Sequence, residues 1–325
     1  MTGTLKPPSE VRTVAVVGSG VIGIGWILHY LRMGLEVRAY DPAPSARTRI
    51  SEMVTMSWPI MEELGLRAGA SVENLVITES LEEAVATADV VQEAAPEDVA
   101  IKAKLFADID ALTPDFTVIL TSTSGISMTL IQADCNNPGR TATGHPFNPP
   151  YLIPLVEVLG GEKTDSDVVN WTMDFYRAFD KYPVYLEREV PAFIASRLQE
   201  AMWREALHMI AAGEATVEMI DDCITEGPGL RWVVTGPMMN FHLAGGPEGM
   251  KHVLDHFGPT LKEPWTRLVA PELTDELRVA VIEGCARESA GRSVDEMVLD
   301  RDRAIIAIMK ARKESAETAA RERGR

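Results

Sequence analysis

The stretch TVAVVGSGVIG, Thr13 to Gly23, decides how the rest of the chain is read. Its first five residues are an apolar, β-branched run of strand length, and the glycines come directly after it. Gly20 to Met33 then has helix length, and Glu36 to Tyr40 is a second short strand-like run. Strand, glycine turn, helix and strand in this order make a βαβ unit. Gly18, Gly20 and Gly23 carry the spacing G-x-G-x-x-G. Gly18 suits a tight turn, Gly20 lets backbone N–H groups approach a pyrophosphate at the helix N-terminus, and Gly23 lets the helix pack closely on the sheet. Val21 and Ile22 contribute the backbone of the same helical first turn. Asp41 closes the second strand, where a carboxylate can accept hydrogen bonds from an adenosine ribose and repel a 2′-phosphate. With Arg38 and Arg47 nearby, the acid still favours NAD over NADP.

Outward from this unit, strand-like runs recur at Leu75–Thr78, Val90–Ala94, Val118–Thr121, Thr141–Gly144, Leu155–Val158 and Tyr182–Leu186. Helical patterns lie between several of them, at Ser45–Leu64, Leu81–Thr87, Val99–Leu112 and Asp165–Phe179. Such alternation predicts an α/β fold, a doubly wound and mostly parallel Rossmann sheet. Beyond Pro191 the pattern is helical: Ala192–Ala212, Val217–Thr225, a Gly/Pro-punctuated region from Gly227 to Pro264, then Thr274–Ala286 and Ser293–Lys313. The expected division is a dinucleotide-binding domain over 1–190 and a smaller, all-helical domain for substrate and dimerisation over 191–325.

Composition narrows the class. At 325 residues and 46% hydrophobic the chain can bury a large core. Its formal charge of −17 repels nucleic acid and other polyanions and favours a cationic ligand. No run approaches the ~20 apolar residues needed to span a bilayer, and the N-terminus lacks the apolar segment of a signal peptide. Three cysteines, Cys135, Cys223 and Cys285, show no metal-ligand spacing, as expected of reduced thiols in a cytoplasmic protein without a metal.

A second stretch, GHPFNPPYLIPLVEV from Gly144 to Val158, raises a question of charge. Glu157 stands between Val156 and Val158 on an apparent buried strand, where an unpaired carboxylate would cost several kcal/mol. It needs a partner, and His145 precedes it in a proline-broken loop.

With TSTSG (Thr121–Gly125), GHPFNP (Gly144–Pro149), LVEV (Leu155–Val158) and PAFIASRL (Pro191–Leu198), the chain resembles the L-3-hydroxyacyl-CoA dehydrogenase superfamily over nearly its whole length. The resemblance implies that Ser124 and His145 contact the reacting 3-oxygen and that Glu157 pairs with the histidine. The imidazole would then take the hydroxyl proton as hydride leaves the carbon. It also implies that Glu97 and Lys102, in APEDVAIK, lie along the ribose and nicotinamide side of the cofactor, and that Asn148 helps place nicotinamide or substrate. One departure stands out: Ser196 occupies the place of the family's usual asparagine, which points to a changed substrate.

The segment Ser51–Gly69 has no lysine and only Arg67, a poor match to the phosphates of CoA. In GPGLRWVVTGPMMNFHLAGG and HFGPTLKEPWTRL the C-terminal half is most similar to the branch that acts on L-carnitine; the branch acting on L-gulonate is the nearest alternative, and a non-catalytic crystallin-like role remains open. The trimethylammonium of carnitine has no N–H, so aromatic faces and negative potential must hold it. Phe147, Trp232 and Phe257 are the candidate aromatics, Ala192, Ile194 and Ala195 the apolar walls, and Arg231 a partner for the carboxylate. By the same resemblance the protein is expected to be a homodimer through its helical domain.

Overall fold

The computed structural model describes residues 4–245, 247, 249–257, 266, 272, 274–277, 279, 290–292 and 294–323. The chain divides into two compact units, Met1–Ile194 and Ala195–Arg325. In the first, eight strands form one sheet: β1 (Thr13–Val17), β2 (Glu36–Tyr40), β3 (Leu75–Ile77), β4 (Val90–Glu93), β5 (Val118–Thr121), β6 (Thr141–Pro146), β7 (Leu155–Leu159) and β8 (Tyr182–Tyr185). Their spatial order is β3-β2-β1-β4-β5-β6-β7-β8. Every pairing is parallel except β6 with β7. The order reverses between β1 and β4, and the crevice beyond the carboxyl ends of such strands is where doubly wound sheets bind ligands.

The connecting helices are α1 (Val21–Arg32), α2 (Ala46–Leu64), α3 (Leu81–Val85), α4 (Val99–Leu112), the single turn α5 (Met128–Ile131) and α6 (Ser166–Ala178). On one side of the sheet Ala15, Val17, Val91 and Ile119 pack with Phe106, Ile109, Met128 and Ile131. On α1 and α6 the rings of Trp26, Tyr30 and Tyr176 stack at 5.2 and 5.7 Å. A polar residue sits among them without penalty because its hydrogen bonds are met. Gln92 Oε1 accepts from the hydroxyls of Tyr30 (3.2 Å) and Tyr176 (2.7 Å), and its amide donates to Ser122 Oγ at 2.9 Å.

The second unit contains α7 (Ala195–Ala211), α8 (Val217–Thr225), α9 (Pro228–Ala244), α10 (Met250–Phe257) and α11 (Val294–Arg323). Among the described residues, the Gly/Pro-punctuated region from Gly227 holds α9 and α10. Pro228 occupies the first turn of α9, where no backbone N–H is required of it. Gly236, at φ 71° and ψ 166°, kinks the helix and Pro237 restarts it. Most of the expected helix Thr274–Ala286 lies outside the described residues. No described helix is long and apolar enough to cross a membrane.

Candidate active site

The glycine turn opens the site. Gly18 adopts φ +104°, and a Cβ there would come within 2.4 Å of the Ala94 carbonyl oxygen at the end of β4. A Cβ on Gly23 would sit 1.9 Å from the Gly18 oxygen. By contrast, a Cβ on Gly20 would meet nothing within 4 Å. Gly18 and Gly23 are therefore required by the protein itself, whereas Gly20 faces open space at the N-terminus of α1, the place a pyrophosphate takes in this motif. Val21, 70% exposed, and Ile22 begin the helix beside that space.

Asp41 reaches back to the turn from the end of β2. Its Oδ2 accepts from Ser19 N (2.8 Å) and Ser19 Oγ (2.7 Å), and its Oδ1 from Ala43 N (2.9 Å). Partial burial pushes the carboxyl up, but those bonds and the Arg49 guanidinium at 3.4 Å outweigh it, so the group titrates below its ordinary range. Arg49 was not singled out in the sequence, where Arg38 and Arg47 are nearer to Asp41. Those two pair instead with Glu36 and Glu79.

His145 ends up on a strand, where sequence reading puts a loop. It is directly opposite Glu157 in the antiparallel β6–β7 register. Facing residues of such a pair hold their side chains within reach of each other, and His145 Nδ1 lies 2.9 Å from Glu157 Oε2. Both are buried, at 5% and 1% exposure. The other carboxylate oxygen accepts from Ile194 N at 2.9 Å. An ionised Glu157 places the imidazole proton on Nδ1 and leaves Nε2 able to take another. Phe147 packs edge-on against the imidazole at 4.9 Å, and Phe193 lies 5.3 Å away on another side. Asn148, exposed, follows on the same loop and forms a cis peptide with Pro149.

Ser124 stands on the turn after β5, three residues past Thr121, which pairs with Thr143 of β6. The turn is held by Glu97, whose Oε1 accepts from Thr123 Oγ1 (2.5 Å), Ser124 N (2.9 Å) and Ser124 Oγ (3.2 Å). Lys102 is only 1% exposed, and its ammonium binds Glu93 Oε1 (2.7 Å) and the Ala95 carbonyl (3.1 Å), with Glu97 Oε2 at 3.7 Å. The expectation that Lys102 lines the cofactor side meets a buried lysine. Glu97, with 42% of its side chain exposed, is the member of this pair that is open to a ligand.

The remaining candidates divide by unit. Ala192 and Phe193 have φ of 55° and 53°, and Ile194 is exposed. In the second unit Ala195 and Ser196 open α7, and Ser196 lines a groove with Trp203, Met209, Ile220 and Asp221. Arg231 is exposed and Trp232 half-buried on α9, while Phe257 closes α10, its side chain lying outside the described residues. Trp203, half-exposed beside Ser196, had no motif to mark it in the sequence.

Comparison with known proteins gives the family. Residues 13–190 match the model for the 3-hydroxyacyl-CoA dehydrogenase NAD binding domain, and residues 193–281 match the C-terminal domain of the same family. An L-carnitine dehydrogenase of Nocardiopsis dassonvillei is 55% identical over 97% of this chain and 96% of its own length. One from Streptomyces griseus is 56% identical over 97% and 95%. Among solved structures, 5-formyl-3-hydroxy-2-methylpyridine 4-carboxylic acid 5-dehydrogenase, an NAD+-dependent dismutase, superimposes with a TM-score of 0.78 at 29% identity over 93% of this chain and 99% of that one. The matched domain is that of an NAD-dependent dehydrogenase, and the chain belongs to the 3-hydroxyacyl-CoA dehydrogenase family.

Proposed function

We propose that this protein oxidises the 3-hydroxyl of L-carnitine to give 3-dehydrocarnitine, with NAD as hydride acceptor. The cross-strand pair of His145 and Glu157 carries the chemistry: a buried imidazole whose tautomer is set by a carboxylate, on the same sheet as the glycine turn. In this reading His145 Nε2 takes the hydroxyl proton, Glu157 stabilises the imidazolium that results, and the Ser124 hydroxyl bonds the reacting oxygen. The turn at Gly18–Gly23 and Asp41 hold NAD, with Glu97 and Asn148 at its nicotinamide side. Full-length similarity to proteins named L-carnitine dehydrogenase supports the substrate, as does the acidity of the chain. Phe147, in ring contact with His145, is the aromatic residue best placed near the dyad to face a quaternary ammonium.

We further assign a homodimer, supported by the large apolar side chains that the second unit exposes, among them Trp203, Leu230, Met238 and Phe241. A cytoplasmic location is supported by free thiols at Cys135 and Cys223. The test of the activity is NADH fluorescence after mixing the protein with NAD and L-carnitine. Formation of NADH by the native protein and its loss in His145→Ala are expected. Absence of NADH from the native protein would refute the assignment.

A further inference from the structure

The last six residues of the first unit, Glu189 to Ile194, reach Glu157, His145 and the turn that carries Ser124. Ile194 N donates to Glu157 Oε1 at 2.9 Å, on the carboxylate that orients His145. The Phe193 ring lies 5.3 Å from the His145 ring and is buried against Leu159 and Leu186. Ala192 lies beside Gly125, next to Ser124: a Cβ on Gly125 would be in van der Waals contact with its backbone at 3.5 Å.

This segment does not rest there by local preference. Ala192 and Phe193 both occupy the left-handed region, at φ 55° and 53°, which is unfavourable for a residue with a Cβ. Something must hold it, and Glu189 does so at its start. Glu189 Oε1 accepts from Ser127 Oγ (2.8 Å) and Thr129 N (2.9 Å), and its Oε2 accepts from Thr129 Oγ1 at 2.6 Å. One carboxylate thereby anchors the segment to α5, directly after the turn that carries Ser124.

We propose that Glu189 is a positioning residue for the oxidation: it anchors the strained segment 189–194 so that Ile194 N and Phe193 hold Glu157 and His145 in the geometry of proton transfer. The inference rests on the dyad assignment above and not on the identity of the hydroxy acid.

The test is a double-mutant cycle on the native-length protein. Glu189→Ala is expected to lower kcat about tenfold to a hundredfold, the scale of a sub-ångström to 1 Å misplacement of a catalytic group, with the KM for NAD unchanged. Glu189→Gln keeps an acceptor for Thr129 N and is expected to restore most of kcat. Because Glu189 acts through Glu157, adding Glu189→Ala to Glu157→Gln should cost little more than Glu157→Gln alone. Losses that multiply, or a Glu189→Ala protein turning over within about twofold of native, would overturn the proposal. Should Glu189→Ala fail to fold, Ser127→Ala removes one donor and leaves the carboxylate, so the same non-additivity is expected at an amplitude of about three- to fivefold. If the native protein oxidises another 3-hydroxy acid in place of carnitine, the cycle is run on that acid, so a failure of the substrate assignment is separate from a failure of this one.

Discussion

His145 and Glu157 show how one backbone register sets up the proposed chemistry. A carboxylate between two valines is tolerable because the residue facing it across the sheet is a histidine and because a backbone N–H satisfies its second oxygen. Replacing His145 with Ala is expected to lower kcat by about two to four orders of magnitude, with the KM for NAD little changed; steady-state kinetics of Glu157→Gln should show a smaller loss. Asp41→Ala should narrow the ratio of kcat/KM for NAD over NADP, since it removes both the ribose acceptor and the repulsion of a 2′-phosphate and leaves Arg49 nearby. A third residue governs stability rather than chemistry. Lys181 is buried, its ammonium donating to the carbonyls of Pro150 and Ile153 on the loop after Asn148 and lying 5.2 Å from the Trp26 ring centre. Burial, with the Arg32 charge beside it, lowers Lys181 to about 7 from an ordinary 10.5, although Asp180 opposes the shift. Between those values the unfolded chain binds the extra proton, so the lysine makes stability rise with pH over that window, by at most about 1.4 kcal/mol per pH unit. Urea unfolding at the two ends of the window should show the rise in the native protein and a flatter dependence in Lys181→Met. That Glu157 needs a partner is legible in the sequence because a buried charge demands an answer; that the partner is His145 is implied there only by the family resemblance. The role of Lys181 is not, because a lysine after Phe179-Asp180 reads as an ordinary surface turn.

At the level of the element, the turn between β1 and α1 separates glycines that the fold needs from the one that faces the proposed pyrophosphate site. Gly18→Ala puts a Cβ at positive φ against the Ala94 oxygen and is expected to lower Tm by several degrees along with NAD affinity. Gly20→Ala has open space around it, and the poorer helix cap is offset by a stiffer unfolded chain. Its Tm should stay within a few degrees of native while the KM for NAD rises severalfold, which thermal melts and kinetics can read together. The sheet was legible for the same reason: Thr13–Val17, Val90–Glu93 and Val118–Thr121 are β-branched runs bounded by turns, and each became a strand. One element differs: the prolines after His145 read as a loop, yet Pro146 closes β6 and the chain turns only after it. In the Gly/Pro-punctuated region from Gly227, Pro228 fits the first turn of a helix and a Gly-Pro pair kinks α9 without ending it. Registers such as His145 against Glu157 depend on the antiparallel return of β7, which no local pattern specifies.

For the molecule as a whole, family, NAD dependence and doubly wound sheet follow from motifs spread over most of the chain, and the matches over 13–190 and 193–281 agree with them. Substrate identity depends on less: an acidic surface, a segment Ser51–Gly69 poor in basic residues, and similarity to carnitine dehydrogenases. What distinguishes carnitine from other 3-hydroxy acids is its fixed positive charge. An analogue with carbon in place of the ammonium nitrogen keeps the shape and loses the cation–π attraction, about 0.5 to 2 kcal/mol, or roughly 2- to 30-fold in affinity. The most direct measurement is therefore kcat/KM with NAD for L-carnitine, its neutral carbon analogue and L-gulonate, determined side by side on the native protein. Carnitine is expected to exceed both, and the neutral analogue to fall behind by a factor in that range. Equal efficiency for the neutral analogue, or a higher efficiency for L-gulonate, would contradict the account.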